Sequence, residues 1–133
     1  MSCHIPAHMA RRVCKRARDR CEYCRLSQQW QEAAFHIDHV KPRSLGGETT
    51  PDNLALACVS CSLRKSARAV ANDSKTGKSV KLFNPRRDEW EDHFLLLPSF
   101  RIRGLTDRGR ATIKALGMNR RVVVAIRREI LAR

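Results

Sequence analysis

The sequence has few aromatic residues and no long apolar segment. Aromatic residues make up 5% of its 133 residues, and apolar runs such as residues 122–126 are only a few residues long. A bilayer-spanning helix needs about 20 apolar residues, so the sequence predicts neither a transmembrane helix nor a membrane partner. The first twenty residues lack the apolar core of a signal peptide. We therefore expect a cytoplasmic protein with reduced thiols.

Acidic residues are also scarce. There are 13 Asp and Glu residues against 27 Lys and Arg residues, which gives a formal net charge of +14. Most of the basic residues are arginines, whose planar guanidinium suits phosphate groups, so we expect a polyanionic partner. The chain is long enough for one small domain with an appended segment, which excludes a large multidomain enzyme.

Cysteine compensates for the thin apolar core. Cys21 and Cys24 form one C-x-x-C pair, and Cys58 and Cys61 form a second. Four thiolates in two such pairs are typical of a structural Zn²⁺ site, which can contribute on the order of 10 kcal/mol to the folding of a small domain. The alternative interpretation is two separate redox pairs. The two remaining cysteines, which we expect to be free thiols, are Cys3 and Cys14.

The first half of the chain predicts one helix and two strands. Residues 6–19 repeat apolar side chains at every fourth position among basic ones, as an amphipathic helix does. Residues 34–40 and 53–58 have the composition of short strands. The loop between them contains proline and glycine and is too long for a tight hairpin turn.

A helix is expected directly after the second strand. Residues 59–70 contain neither glycine nor proline and would place Leu63, Ala67 and Val70 on one side. Together with the strands, this helix predicts an α+β protein with a β-loop-β-α unit. For residues 71–104, which are rich in turn-forming residues, we expect irregular structure around the core.

Two short helices are expected at the carboxyl end. The first would begin at Thr106 and end at Gly117, which are typical capping residues. Asn119 would cap the second helix, whose apolar face would consist of Val122, Ile126 and Ile130.

The segment between the cysteine pairs resembles the HNH endonucleases, whose core is a ββα-metal unit. The matching residues are Asp38-His39 at the end of the first strand, Pro42-Arg43 and Gly46-Gly47 in the loop, Asn53-Leu54 at the second strand, and the flanking cysteines. The resemblance covers residues 21–66. It implies a zinc-stapled HNH domain over residues 21–70, between a basic N-terminal helix (1–20) and a basic irregular and helical segment (71–133).

The residues at the end of the first strand suit phosphodiester hydrolysis. A histidine is a fitting general base at neutral pH, and an adjacent carboxylate can hold a divalent cation. His39 is therefore the candidate base, and Asp38 is the candidate ligand of a catalytic Mg²⁺ or Mn²⁺. By resemblance, Asn53 fastens the loop that orients His39. The plainer alternatives are surface polar residues at 38 and 39 and an ordinary turn asparagine at 53.

One position departs from the family pattern. The residue after the last cysteine is usually His or Asn and binds the catalytic cation, whereas this chain has Ser62. A serine hydroxyl is a weaker ligand, so its role as a cation ligand is open. His36 lies on the same side of the strand as Asp38 and could serve the cation or a phosphate, or be structural.

Basic residues surround the proposed site. Arg43 in the loop and Arg64 and Lys65 on the helix are candidate contacts for a DNA backbone, although each could equally lie on a solvated face. The sequence thus predicts an HNH endonuclease that acts on double-stranded DNA. The alternatives are a non-catalytic zinc-dependent nucleic-acid-binding protein and a basic RNA-associated protein, and the sequence does not indicate an oligomeric state.

Overall fold

The computed structural model describes residues 5–29 and 31–131. Cys3 therefore lies outside the described residues. The helices are α1 (Ala7–Arg16), α2 (Val59–Lys65), α3 (Trp90–His93), α4 (Asp107–Leu116) and α5 (Arg121–Leu131). The strands are β1 (His36–His39), β2 (Leu54–Ala57), β3 (Val70–Asn72), β4 (Ser79–Lys81), β5 (Phe94–Leu96) and β6 (Ile102–Gly104). No helix in these ranges is long and apolar enough to cross a membrane.

Strands β1 and β2 and helix α2 form the β-loop-β-α unit. The two strands pair antiparallel, with His36 opposite Ala57 and His39 opposite Leu54. The long loop between them contains two short 3₁₀ turns, Arg43–Leu45 and Pro51–Asn53. The mixture of helices and small antiparallel strand pairs confirms the α+β fold class.

Helix α1 covers one face of this strand pair. Val13 is fully buried against Leu54 and Leu56 of β2, and Met9 and Ala17 pack at the edge of the same cluster. Arg11 and Arg12 of α1 are exposed on its outer side, as an amphipathic helix requires. The apolar face expected from the sequence is thus the face that docks on the sheet.

Helix α2 is shorter than expected. It ends at Lys65 because Ser66 adopts a positive φ of 51°, and Val70 begins β3 instead of extending the helix. Leu63 is 68% exposed and Val70 is 50% exposed. The expected apolar side is therefore wrong, and the helix instead buries Cys61 and Lys65.

The expectation of irregular structure over residues 71–104 is also wrong. Strands β3 and β4 form one antiparallel hairpin, and β5 and β6 form another. Each strand has only three residues, too few for an alternating pattern to be evident in the sequence. The turn of the first hairpin is organised by buried Asp73, which accepts hydrogen bonds from Thr76 and from the guanidinium of Arg110.

Helix α4 has the predicted caps, whereas the start of α5 differs. The Thr106 hydroxyl accepts a hydrogen bond from Gly109 N, and Gly117 ends α4 with a positive φ of 60°. The side chain of Asn119 does not cap α5 but bonds both the N–H and the C=O of Ile102. Val122, expected on the buried face, is 56% exposed.

Buried Arg127 attaches α5 to the rest of the molecule. Its side chain is 2% exposed and donates to Phe100 O at 2.5 Å and to Met118 O at 3.0 Å. These carbonyl groups have an arginine as their partner at a depth where water has little access. Val123 lies one helical turn before Arg127, on the same side of α5, and is also buried.

Replacing Arg127 with Met should lower the free energy of unfolding by about 2–4 kcal/mol, because it leaves two carbonyl acceptors without this donor. The matched control is Arg121→Met, at an exposed position of the same helix. We expect the control to change the free energy of unfolding by less than about 0.5 kcal/mol. Urea unfolding of both variants measures the difference, and equal effects would contradict a docking role for Arg127.

Candidate functional site

The four paired cysteines meet in one cluster. The Sγ atoms of Cys21, Cys24, Cys58 and Cys61 all lie within 4.8 Å of one another, and all four residues are buried. Sγ of Cys24 is 3.7 Å from Sγ of Cys58. Tetrahedral zinc with Zn–S bonds of about 2.3 Å places its sulfurs about 3.8 Å apart, so the cluster fits this metal.

Backbone N–H groups complete the cysteine cluster. Cys24 N lies 3.5 Å from Sγ of Cys21, and Cys61 N lies 3.4 Å from Sγ of Cys58. Cys58 is also the N-cap of α2, so the cluster determines where that helix starts. Two pairs brought together in this way favour one zinc site over the alternative of two separate redox pairs.

His39 stands at the end of β1, next to the long loop. Its Nε2 is 2.9 Å from the Thr49 hydroxyl of the loop, and its carbonyl oxygen accepts a hydrogen bond of 2.9 Å from Lys65 Nζ. Partial burial lowers the pKa of His39, and the positive charges of Arg43 and Lys65 act in the same direction, against Asp38. A lowered pKa favours the neutral imidazole, which is the form that a general base requires.

Asn53 closes the loop that faces His39. Its side chain accepts from Lys41 N and donates to Lys41 O and to Glu48 O, at distances of 2.8 to 3.0 Å. Gly47 packs closely against the same part of the loop. A Cβ atom at this position would be 1.8 Å from Lys41 O, so a larger residue would clash. A turn asparagine would bond its immediate neighbours, whereas Asn53 links residues twelve positions apart.

Asp38 is buried and already has two partners. The Tyr23 hydroxyl donates to its Oδ2 at 2.7 Å, and Lys65 Nζ lies 3.2 to 3.3 Å from its two oxygens. Burial raises the pKa of the Asp38 carboxyl, while the Lys65 charge and the Tyr23 hydrogen bond oppose this effect. The plainer alternative of a surface polar residue at position 38 is therefore wrong, since the Asp38 side chain is 9% exposed.

Lys65 does not lie where a DNA backbone could reach it. It is 1% exposed, and its ammonium group is held between Asp38 and the carbonyl of His39. The expected phosphate contact at this residue is thus corrected to a buried ion pair. Arg43 and Arg64, the other two candidate contacts, are exposed.

Ser62 and His36 form a separate pair beside Asp38. The Ser62 hydroxyl lies 2.8 Å from Nδ1 of His36 in an exposed position. Apart from the cysteines, no three His, Cys, Asp or Glu side chains of the described residues converge in a way that could hold a metal ion. As they stand, Asp38, Ser62 and His36 do not fit a catalytic cation, because a buried ammonium already neutralises the carboxylate.

Comparison with known proteins supports the resemblance. Residues 21–68 match the family model described as HNH endonuclease. The matched residues include the four cysteines, the loop and α2. No curated protein and no solved structure matches the chain.

Removal of one cluster cysteine should unfold the domain. Cys24→Ser or Cys61→Ser should lose the bound zinc and the cooperative unfolding transition, because zinc supplies free energy on the order of 10 kcal/mol to such domains. Zinc content and circular dichroism measure both effects. The matched control is Cys14→Ser, outside the cluster, which should keep one zinc per chain. A folded Cys24→Ser variant without metal would contradict a structural role.

Removal of one partner of the Asp38–Lys65 ion pair should also destabilise the fold. Lys65→Met leaves the Asp38 carboxylate unpaired in the interior, and we expect a loss of about 3–5 kcal/mol in the free energy of unfolding. Arg64→Met, at the exposed neighbouring position of α2, is the matched control and should have little effect. The double variant Asp38→Asn/Lys65→Met should be more stable than the sum of the single effects predicts. Additive effects would mean that the two side chains do not interact.

Proposed function

We propose that this protein is an endonuclease that hydrolyses phosphodiester bonds of double-stranded DNA, with His39 as the general base. An HNH domain indicates a nuclease or another nucleic-acid-related function. The single observation that carries the proposal is the position of His39 at the end of β1, where its Nε2 contacts Thr49 of the closed loop. The net charge of +14 supports a nucleic-acid substrate.

In this proposal, His39 removes a proton from the water that attacks the phosphorus atom. The bond from phosphorus to the 3′ oxygen breaks, and that oxygen takes up a proton from solvent. Thr49 and the backbone contact from Lys65 hold His39 at a fixed position. Asn53 keeps the loop, and therefore Thr49, in place. Exposed Arg43 is close enough to lower the pKa of His39 and would bind the scissile or a neighbouring phosphate.

The family resemblance also implies a catalytic Mg²⁺ or Mn²⁺, but the present donor arrangement gives it no ready site. Asp38 would have to exchange the ammonium of Lys65 for the cation, and Ser62 is bonded to His36. Four buried thiols, by contrast, suit a structural Zn²⁺. The dependence of activity on Mg²⁺ or Mn²⁺ is therefore a separate part of the test.

A second candidate function is non-catalytic binding of nucleic acid. The Asp38–Lys65 ion pair favours it, because a salt-bridged carboxylate is a poor cation ligand. In that case the zinc and the loop would serve only to present a basic surface. The two candidates share the DNA partner and differ in whether a phosphodiester bond breaks.

Nicking of supercoiled plasmid by the full chain distinguishes the two functions. With Mg²⁺ or Mn²⁺ added over a range of concentrations, His39→Ala should reduce the nicking rate by about 10²- to 10⁴-fold. Its affinity for a DNA duplex should change little, since a neutral side chain releases few counterions. His8→Ala, at an exposed position of α1, is the matched control and should nick like the parent.

Two outcomes would contradict the catalytic proposal. If His39→Ala lost duplex affinity in proportion to nicking, His39 would be structural. If the parent bound duplex but nicked at no concentration of either cation, the protein would be a binding module.

A further inference from the structure

A second basic surface lies outside the region of His39. It is a cleft of about 460 Å³ between the end of α1, the first cysteine pair and residues 83–90. None of the described residues of the loop between β1 and β2 lines it. Six arginines line this arginine cleft: Arg16, Arg18, Arg20, Arg25, Arg86 and Arg87.

Two of the three acidic residues that line the arginine cleft have partners in the protein. Glu22 forms an ion pair with Arg86 and also accepts a hydrogen bond from Leu56 N. Asp88 accepts two hydrogen bonds from Arg108, which lies outside the cleft. The third, Glu89, is exposed, so three carboxylates face six arginines and the cleft keeps an excess of positive charge.

Two of these arginines have no partner of their own. The side chains of Arg18 and Arg87 are exposed and make no hydrogen bond or ion pair with the described part of the chain. An arginine without a protein partner on a concave, positively charged surface is a ready donor for an oxyanion.

The arginines of the cleft also act on one another. Burial and the nearby charge of Arg16 lower the pKa of Arg86 to about 10. Nε of Arg86 is buried and has no hydrogen-bond partner among the described residues. Two guanidinium groups that repel each other gain from a bound anion, because its negative charge offsets the repulsion.

Trp90 orients another arginine of the cleft. The guanidinium of Arg25 lies over the Trp90 ring, 4.9 Å from the ring centroid. Stacking of this kind holds the flat group in place while its N–H edges remain available. Its only ion-pair partner in the described chain, Glu91, is 3.6 Å away and well exposed.

Arg16 connects the arginine cleft to the strand pair that carries His39. Its guanidinium donates to Pro51 O at 3.0 Å and to Leu54 O at 2.6 Å. Leu54 pairs directly with His39 across the two strands. Arg16 thus attaches the arginine cleft to the strand that lies beside His39.

We propose that the arginine cleft binds backbone phosphates of nucleic acid, as a contact surface separate from His39. This inference rests on the proposed nucleic-acid function but not on cleavage. The ligand chemistry is a phosphate oxyanion, and the six arginines supply far more donors than one free phosphate can accept. A polymer that presents several phosphates in a row fits the cleft better than a single ion does.

The test is duplex binding by the full chain without added divalent cation, so that cleavage does not enter the measurement. Arg18→Ala/Arg87→Ala should weaken duplex binding about tenfold and reduce the slope of log affinity against log salt by about 2, since each lost phosphate contact contributes about 0.9. The matched control, Arg103→Ala/Arg121→Ala, removes the same charge at two exposed positions outside the cleft. It should change affinity less than about twofold.

Three other outcomes would overturn the proposal. Equal weakening by both double variants would mean that only net charge matters. Unchanged duplex affinity in the cleft variant would exclude a nucleic-acid contact there. If inorganic phosphate at fixed ionic strength stabilised the parent but not the cleft variant against heat, while duplex affinity stayed the same, the cleft would be a site for free phosphate. Loss of nicking alone would concern the proposed function and leave this inference standing.

Discussion

The cysteine cluster is the constraint on which the rest of the molecule depends. Cys24 and Cys58 are 34 positions apart in the chain, yet their sulfurs lie within 4 Å. A chain with 5% aromatic residues offers limited apolar area to hold such distant segments together. Because Cys58 caps α2, the cluster also sets the position of this helix against the strand pair. Metal binding and formation of the β-loop-β-α unit should therefore be a single cooperative event.

Helix α2 transmits this constraint to His39. Cys61 and Lys65 are four residues apart and therefore lie on the same face of the helix. When the cluster fixes Cys61, Lys65 is directed towards β1, where its ammonium bonds both Asp38 and the carbonyl of His39. A buried ion pair often adds little net stability, but it requires one specific arrangement of its partners. The ion pair thus links the position of the cysteine cluster to the orientation of His39, the candidate base.

Short-range sequence signals were sufficient to predict those elements that depend on neighbouring residues. Thr106 and Gly117 cap α4 as predicted because capping depends on residues within the same few positions. The burial of Lys65 could not be predicted in this way, since lysine is normally exposed and its partner Asp38 is 27 positions away. The family motif located Asp38, His39 and Asn53 but contained no sign of Tyr23 or Thr49, whose contacts depend on the folded loop.

The arginines of this protein serve two physically different purposes. Arg127 and Arg110 bond carbonyl groups and a buried carboxylate, and their charges stabilise the fold. Arg18 and Arg87 have no such partner in the described chain and are free to meet an external anion. Counterion release counts only the charges that contact phosphates, so the salt dependence of DNA binding should reflect the second group. The net charge of +14 identifies the kind of partner, whereas the division between internal and external arginines determines where that partner lies.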